Sequence, residues 1–141
     1  MAEAIDPFVG IWRLNPEKSQ FGPHHRPRGA TLTLKLNPQG YYLMTAEGTN
    51  EKGEPVAERP QVLIPDGAPH PIPDFPGLST ICSRPDSRTL RAEARREDGS
   101  LVGHGEWTVS ADGGFLIATN SGMDSQLREF QQRTHWERSR A

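Results

Sequence analysis

Short runs of alternating apolar and polar residues, each ended by a turn signal, recur along this sequence and constrain its fold more than any other feature. In the run Ala30–Leu36, three leucines fall on one side of an extended chain, and Thr31, Thr33 and Lys35 fall on the other. This alternation is typical of a half-buried β-strand. The turn that follows, Asn37–Gly40, has proline at its second position and glycine at its last, as a type I turn favours.

The spacing of these runs predicts the architecture. Turn signals separate strand-like runs at 8–14, 30–36, 41–47, 56–64, 78–84, 89–96, 101–110, 115–120 and 126–138. Such regular spacing favours an all-β fold, and we predict a single antiparallel up-and-down β-barrel of about nine strands with little helix. A chain of 141 residues is the size of one domain, here 1–141. We expect the first and last runs to meet and close the barrel.

Two segments interrupt the pattern. Asn15–Ser19 breaks the first run and predicts a single helical turn, with Asn15 as its N-cap and Pro16 in the first helical position. Pro65–Gly77 contains five prolines, which stiffen the backbone and remove hydrogen-bond donors. We predict that this segment is an ordered loop across one mouth of the barrel.

Charge and composition exclude several classes of function. The net charge is −2 and the isoelectric point is about 6.2, so a basic surface for nucleic acid is not expected. One cysteine, Cys82, excludes an internal disulfide. No apolar run approaches the roughly 20 residues that cross a bilayer. The first residues carry neither a basic nor an apolar leader region, which predicts a cytoplasmic protein without a membrane partner.

Three sequence patterns resemble those of the lipocalins and, more specifically, of uncharacterised bacterial lipocalin-like (calycin-type) proteins. They are Gly10-x-Trp12-x-Leu14-Asn15-Pro16-x-Lys18-Ser19, Val109-Ser110-x-Asp112-Gly113 and Trp136-Glu137-Arg138. The resemblance implies a ligand-binding barrel in which Trp12 lies at the closed end and is covered by a basic residue of the last strand. Arg138 is the candidate, and Trp12, Trp136 and Arg138 together would close the barrel. A guanidinium over an indole gains about 0.5–2 kcal/mol.

Histidines provide the candidates for catalysis. His104 and Glu106 lie two residues apart, so they share one face of a strand, where an inward pair could act as a general base and its orienting carboxylate. An outward pair would be ordinary solvated surface, and the better core face of that strand carries Trp107 and Val109. His70 lies in the proline-rich loop near Asp74, either as a plain loop residue or as a catalytic or ligand contact.

The other histidines favour structural readings. His24 and His25 lie in a Pro/Gly loop without a carboxylate or cysteine at ligand spacing, so no metal site is predicted. His135 shares its face with Arg133 and Glu137, a surface pattern. No cofactor is predicted.

Aromatic residues suggest a cavity for a flat hydrophobic ligand. The predicted ligand-binding residues are Trp12, Tyr42, Phe75, Trp107 and Phe115. We therefore predict that the protein binds a small hydrophobic or aromatic molecule, either as a monomer or as a homodimer. Two alternatives stay open. One is a small isomerase, cyclase or lyase that uses a cavity histidine, and the other is an interaction domain whose barrel is filled by the same aromatics.

Overall fold

Eleven antiparallel strands form the structure, a computed structural model that describes residues 6–21, 27–57, 60–73, 75–123 and 129–139. They are β1 Gly10–Gln20, β2 Gly29–Leu36, β3 Tyr42–Thr49, β4 Pro55–Ala57, β5 Gln61–Leu63, β6 Pro69–Pro71, β7 Leu78–Asp86, β8 Thr89–Arg96, β9 Leu101–Val109, β10 Phe115–Met123 and β11 Glu129–Arg138. The predicted all-β antiparallel barrel is confirmed, with eleven strands instead of nine. Within the described ranges, no helix is long and apolar enough to cross a membrane.

The two ends of the chain meet in the sheet. The strand order is β4-β3-β2-β1-β11-β10-β9-β8-β7-β6, and β5 also pairs with β3. In the ladder between β1 and β11, Trp12 pairs with Arg138 and Leu14 pairs with Trp136, so the prediction that first and last runs meet is confirmed. On the opposite side, the chain itself bridges the seam between β3 and β7. Leu63 pairs with Tyr42, and the Gly67 N–H donates to the Cys82 carbonyl at 2.8 Å.

The additional strands come from the proline-rich part of the chain. The predicted run 56–64 is two short strands, β4 and β5, and Pro60, which lacks an amide donor, lies between them. The predicted loop 65–77 contains β6, in which His70 pairs with Thr80 of β7. Prolines flank His70 on both sides, which suits a three-residue edge strand. Beyond β6, the Ile72 N–H donates to the Leu78 carbonyl at 3.0 Å, so these residues lie side by side where β6 and β7 connect. The loop across a mouth of the barrel stays a prediction.

The predicted helical turn at Asn15–Ser19 is wrong, because β1 continues through these residues to Gln20. Asn15 pairs with His135 and Gln20 pairs with Arg133, so β1 contains extra residues that bulge from the ladder. Two local hydrogen bonds hold the bulge. Asn15 Oδ1 accepts from the Lys18 N–H at 3.2 Å, and the Ser19 hydroxyl donates to the Asn15 carbonyl at 2.7 Å. The Asn15 side chain therefore caps a bulge and not a helix.

Large side chains fill one end of the barrel. The largest fully buried side chains are those of Phe8, Trp12, Leu34, Tyr42, Cys82, Leu90, Val109 and Leu116. They occupy the strand ends that adjoin the turns 37–41, 86–89 and 110–115. We call this half the closed end. The half beside the turns 50–54 and 96–100 is the open end.

Candidate functional site

A cavity of about 1400 Å³ occupies the open end of the barrel. Apolar and aromatic side chains from most strands contribute to its wall, among them Leu32, Met44, Leu63, Trp107 and Trp136. Ile72 and Phe75 also border it, from the connection between β6 and β7. This part of the chain carries Phe75 at 49% exposure, at the border between the cavity and solvent.

The cavity exists because inward positions become smaller from the closed end to the open end. On β8 the inward sequence is Leu90, Ala92 and Ala94, and on β10 Leu116 is followed by Ala118. On three other strands the same change runs from Leu34 to Ala30, from Tyr42 to Gly48 and from Val109 to Gly103. Small inward residues leave space that large ones fill at the closed end. This taper is present in the sequence but is visible only when the strand directions are known.

A glycine shapes the aromatic wall. A Cβ on Gly105 would lie 2.9 Å from Cη2 of Trp107 and 2.7 Å from Oδ1 of Asn120. The Trp107 indole and the Asn120 amide therefore both extend over the space that the absent Gly105 side chain leaves. Both project from the inner face of the sheet and border the cavity.

The second indole of the wall is fixed by hydrogen bonds. Trp136 Nε1 donates to Oγ1 of Thr134 at 2.9 Å, and the Thr134 hydroxyl donates to the Ala118 carbonyl at 3.3 Å. Both Trp136 and Thr134 are buried. Because its polar atom is satisfied within the wall, the Trp136 ring presents an apolar surface to the cavity.

Arg138 seals the closed end. Its guanidinium carbon lies 4.2 Å from the centre of the Trp12 ring, the position that the lipocalin resemblance implies. The guanidinium also donates to the carbonyls of Gly113 at 2.7 Å, Val9 at 2.9 Å and Pro7 at 2.7 Å. These bonds join the first strand, the last strand and the turn between β9 and β10.

The Gly10-x-Trp12 pattern has a steric explanation. A Cβ on Gly10 would lie 2.6 Å from Nη1 of Arg138, and Gly10 has φ of +144°, which L side chains rarely adopt. The Trp12 indole N–H donates to the Phe8 carbonyl at 3.1 Å. A glycine at position 10 therefore leaves room for the Arg138 guanidinium. That guanidinium covers Trp12, two residues further along the strand.

A polar cluster anchors the chain segment that precedes β1. The Tyr42 hydroxyl donates to Oδ2 of Asp6, and Arg84 donates to the Tyr42 oxygen at 2.8 Å and to Asp6 at 3.1 Å. Burial, and next the hydrogen bond to Asp6, raises the pKa of Tyr42, so this phenol stays protonated. Phe8 packs edge-on against Tyr42 with ring centres 5.8 Å apart. The cluster belongs to the closed end.

Of the five predicted ligand-binding residues, the structure places Trp107 and Phe75 at the cavity. Trp12 and Tyr42 are fully buried in the closed end and do not border the cavity. Phe115 is on the outer face, 38% exposed, because the inward positions of β10 are those of Leu116 and Ala118. Phe115 as a cavity residue is therefore wrong.

The outer face holds Phe115 among polar neighbours. Its ring lies 5.1 Å from that of His135, and Lys18 Nζ lies 5.8 Å from its centre. His135 is half-buried, and burial, followed by the charge of Lys18, lowers its pKa. His135 points outward because its neighbours on β11, Thr134 and Trp136, are the inward residues. Trp136, predicted for barrel closure, pairs opposite Leu14 in the closing ladder and directs its indole to the cavity.

His104 and Glu106 are on the outer face, so the inward acid–base arrangement is wrong. His104 is exposed, and Glu106 forms an ion pair with Arg91 across the strands at 3.0 Å. The inner face of β9 carries Gly105, Trp107 and Val109, since a strand alternates sides at every residue.

His70 borders the cavity at its mouth. It pairs with Asp66 at 3.0 Å. The predicted neighbour Asp74 lies outside the described residues, as do His24 and His25. The hydrogen bond from the Ala68 backbone N–H, and then the bond with His70, hold the pKa of Asp66 below its ordinary value, although desolvation acts in the opposite direction. Asp66 therefore stays ionised beside the histidine.

Cys82 and possible metal ligands are the remaining groups relevant to chemistry. Cys82 is fully buried, and burial, then the charge of Asp66, raises the pKa of its thiol to about 11. A thiol with this pKa is a poor nucleophile at neutral pH. Among the residues that the structure describes, no group of three or more histidine, cysteine or acidic side chains could hold a metal ion.

The barrel is similar in fold to several solved β-barrel proteins. It is similar to wild-type fluorescent protein UnaG, with a TM-score of 0.63 and 11% identity over 94% of this chain and 97% of the other. It is also similar to the zebrafish ileal bile acid-binding protein complexed with cholic acid, with a TM-score of 0.59 and 12% identity over 94% of this chain and 99% of the other. A third similar structure is As-p18, an extracellular fatty acid binding protein, with a TM-score of 0.50 and 11% identity over 95% of this chain and 97% of the other. The sequence matches no protein-family model, and no curated protein is significantly similar to it.

Proposed function

We propose that the chain is a single ligand-binding domain that holds a small hydrophobic or aromatic molecule in its barrel. The observation that carries this proposal is the cavity of about 1400 Å³ with Trp107 and Trp136 in its wall. Ligand pockets typically measure about 300–1,000 Å³ and have mostly apolar linings. Barrels of the same fold that bind a bile acid or fatty acids, according to their descriptions, support the same reading.

The cavity argues against the two alternatives. An interaction domain with a filled barrel requires large side chains at the open end, where the inward residues include Ala46, Ala94 and Gly105. A barrel enzyme loses its strand candidates, since His104 and Glu106 lie on the outer face. Ligand binding needs only the shape and the apolar wall, which are both present.

Phe75, Trp107 and Trp136 are the side chains that we propose contact the ligand. The two indoles project from β9 and β11, on either side of β10, and form one apolar part of the lining. Phe75 borders the same cavity and is placed to cover a bound molecule. Flat aromatic faces gain energy from stacking beyond area burial, about 0.5–1.5 kcal/mol for a pair of rings. A polycyclic or conjugated ligand therefore fits this wall better than a branched aliphatic one.

Tryptophan fluorescence tests the proposal. Titration with a panel of hydrophobic and aromatic small molecules should give saturable quenching, because two of the three tryptophans line the cavity. Trp107→Ala should weaken binding at least tenfold, while Ile117→Ala on the outer face of β10 should leave affinity unchanged. Both variants are checked by circular dichroism. No saturable response to any compound would refute the proposal.

The finer parts of the sequence interpretation are also proposals. We propose a lipocalin-like protein of bacterial origin, which the Gly10-x-Trp12 pattern and the Arg138 cover over Trp12 support. A cytoplasmic location stays a prediction, and one protein of the same fold is described as extracellular. The homodimer likewise stays a prediction, to be checked by light scattering of the purified protein.

A further inference from the structure

The proposed ligand site carries two neutral side-chain amides. Asn120 on β10 and Gln132 on β11 are directly opposite each other in the ladder and border the cavity. Residues opposite each other in an antiparallel pair have Cβ atoms about 4.5–5.5 Å apart. Neither side-chain amide is hydrogen-bonded within the described part of the chain, although Thr134 and Trp136 just below them satisfy each other.

The first amide lies beside the aromatic wall. Asn120 Oδ1 and Cη2 of Trp107 lie 2.7 Å and 2.9 Å from the point where a Cβ on Gly105 would be. The absence of a side chain at Gly105 therefore leaves the amide and the indole edge next to each other at the cavity. Gln132, opposite Asn120, extends the polar patch by one strand. An amide offers both donors and an acceptor, so the patch complements a group of the same kind.

Charged side chains around the cavity do not complement an anionic ligand. Glu47, Glu51 and Glu54 are exposed at the open end, around the turn that also carries the exposed Lys52. Among the described residues, the basic side chains that border the cavity at this end are Lys52 and His70, and His70 is already paired with Asp66. Arg28 lies at the same turn but outside the cavity lining, and its Nε donates to the Glu51 carbonyl at 2.9 Å.

Two further ionisable residues border the cavity only from the outer face of their strands. Glu93 is bound by Arg95 at 2.6 Å, and His104 is exposed. The described interior beside Trp107 and Trp136 therefore offers amides and hydroxyls in place of cations. Burying a carboxylate there without a cationic partner costs far more than burying a neutral polar group.

We propose that the cavity selects an uncharged aromatic ligand that carries a carboxamide-like hydrogen-bonding group, which Asn120 and Gln132 bind. The proposal rests on the function proposed above and adds the chemical class of the ligand. The amide patch pairs with the donor and acceptor of such a group, and the indoles cover its aromatic body. A carboxylate of the same skeleton leaves the cavity wall without a matching charge.

Three probes with one skeleton test this selectivity: 4-(1-pyrenyl)butyramide, 4-(1-pyrenyl)butyric acid and 1-butylpyrene. Dissociation constants are measured at pH 8, where the acid is ionised, from energy transfer between tryptophan and pyrene. The amide should bind at least tenfold more tightly than the acid. An acid that binds as tightly as the amide would overturn the selectivity while leaving the ligand-binding function intact. Failure of all three probes to bind would remove both.

Variants assign the selectivity to the two amides. The double variant Asn120→Leu, Gln132→Met keeps side-chain size and should weaken butyramide binding about tenfold, or 1.4 kcal/mol, with butylpyrene unaffected or tighter. Thr119→Leu, one residue away on the outer face of β10, is the control and should change none of the three constants. An equal loss for all three probes in the double variant would show a general effect on the cavity and contradict the proposal. The comparison of amide with acid in the unmodified protein is decisive even if the double variant does not fold.

Discussion

The closed and open ends of the barrel are built from the same strands but have opposite properties. The closed end contains Trp12, Leu34, Leu90 and Leu116, all essentially inaccessible to solvent. At the open end, the inward positions of the same strands hold small residues such as Ala30 and Ala94, and a cavity replaces the core. The same strands therefore form a packed half that stabilises the fold and a hollow half that has space for a ligand. Stability and ligand binding should respond to different substitutions.

The largest contrast is expected between two tryptophans. Trp12→Ala should lower the free energy of unfolding by about 3–5 kcal/mol, because it leaves a hole in a packed core and removes the surface that Arg138 covers. Trp107→Ala should cost about 1.5–3 kcal/mol, mainly the transfer term, since its ring already borders a cavity. Urea unfolding followed by circular dichroism measures both. Equal losses would contradict the division into two halves.

Removal of the arginine that seals the closed end should have the next largest effect. Arg138→Met removes the hydrogen bonds to three carbonyls and the contact with Trp12, and we expect a loss of about 2–3 kcal/mol in unfolding free energy. Arg133→Met, at an exposed position of the same strand, should stay within about 0.5 kcal/mol of the unmodified protein. If the two variants were equally stable, Arg138 would not seal the barrel.

Filling the open end should separate binding from stability. Ala46→Phe places a large side chain in the cavity and should reduce ligand affinity more than tenfold, with a change in unfolding free energy of less than about 1 kcal/mol in either direction. Thr45→Phe, on the outer face one residue earlier, should leave affinity unchanged. Calorimetric titration with the best ligand of the panel decides the outcome. Retained affinity in Ala46→Phe would mean that the ligand binds elsewhere.

The smallest expected effect is on how thermal stability changes with pH. It concerns one aspartate in a turn at each end of the barrel, Asp112 at the closed end and Asp98 at the open end. The hydrogen bond from Ser110 and the backbone N–H of Gly114 lower the pKa of Asp112 at the closed end, and Ser100 does the same for Asp98 at the open end. A folded-state pKa below the unfolded value of about 3.9 contributes stability above that pH, and this contribution disappears as the pH falls through the folded value. Asp112→Asn and Asp98→Asn should both lower Tm at pH 7.

The same two variants should differ little from the unmodified protein at pH 2. Thermal melts across this range measure the difference, and a Tm gap for either variant that is independent of pH would exclude ionisation as its cause. A larger effect at Asp112 than at Asp98 would extend the comparison to the turns, since the Gly113 carbonyl beside Asp112 accepts a hydrogen bond from Arg138.

Local patterns predicted the barrel well because strand alternation and turn residues act over a few residues. The leucines of β2 and the turn at Asn37–Gly40 needed no distant information. The errors arose where distant contacts decide. The Asn15–Ser19 segment has the residues of a helix start, but its ladder with β11 draws it into a bulge. The short strands around Pro60 depend on pairing with β3 and β7.

The candidate site was only partly predictable for the same reason. Trp107 and Phe75 were expected at the cavity and border it, whereas Phe115 and Tyr42 do not. An aromatic residue in a strand is equally consistent with the outer face, the filled end and the cavity, and only the strand direction separates these. Asn120 and Gln132 carried no sequence signal, because they become neighbours only when β10 and β11 pair.

The sequence by itself determined the all-β architecture, because alternation and turn chemistry are local properties, and its resemblance to the lipocalins implied that a basic residue of the last strand, Arg138, covers Trp12. Tertiary structure alone decided that the barrel is filled at one end and open at the other. That difference depends on the order in which large and small inward residues from separate strands are stacked along the barrel, and no single strand contains this information.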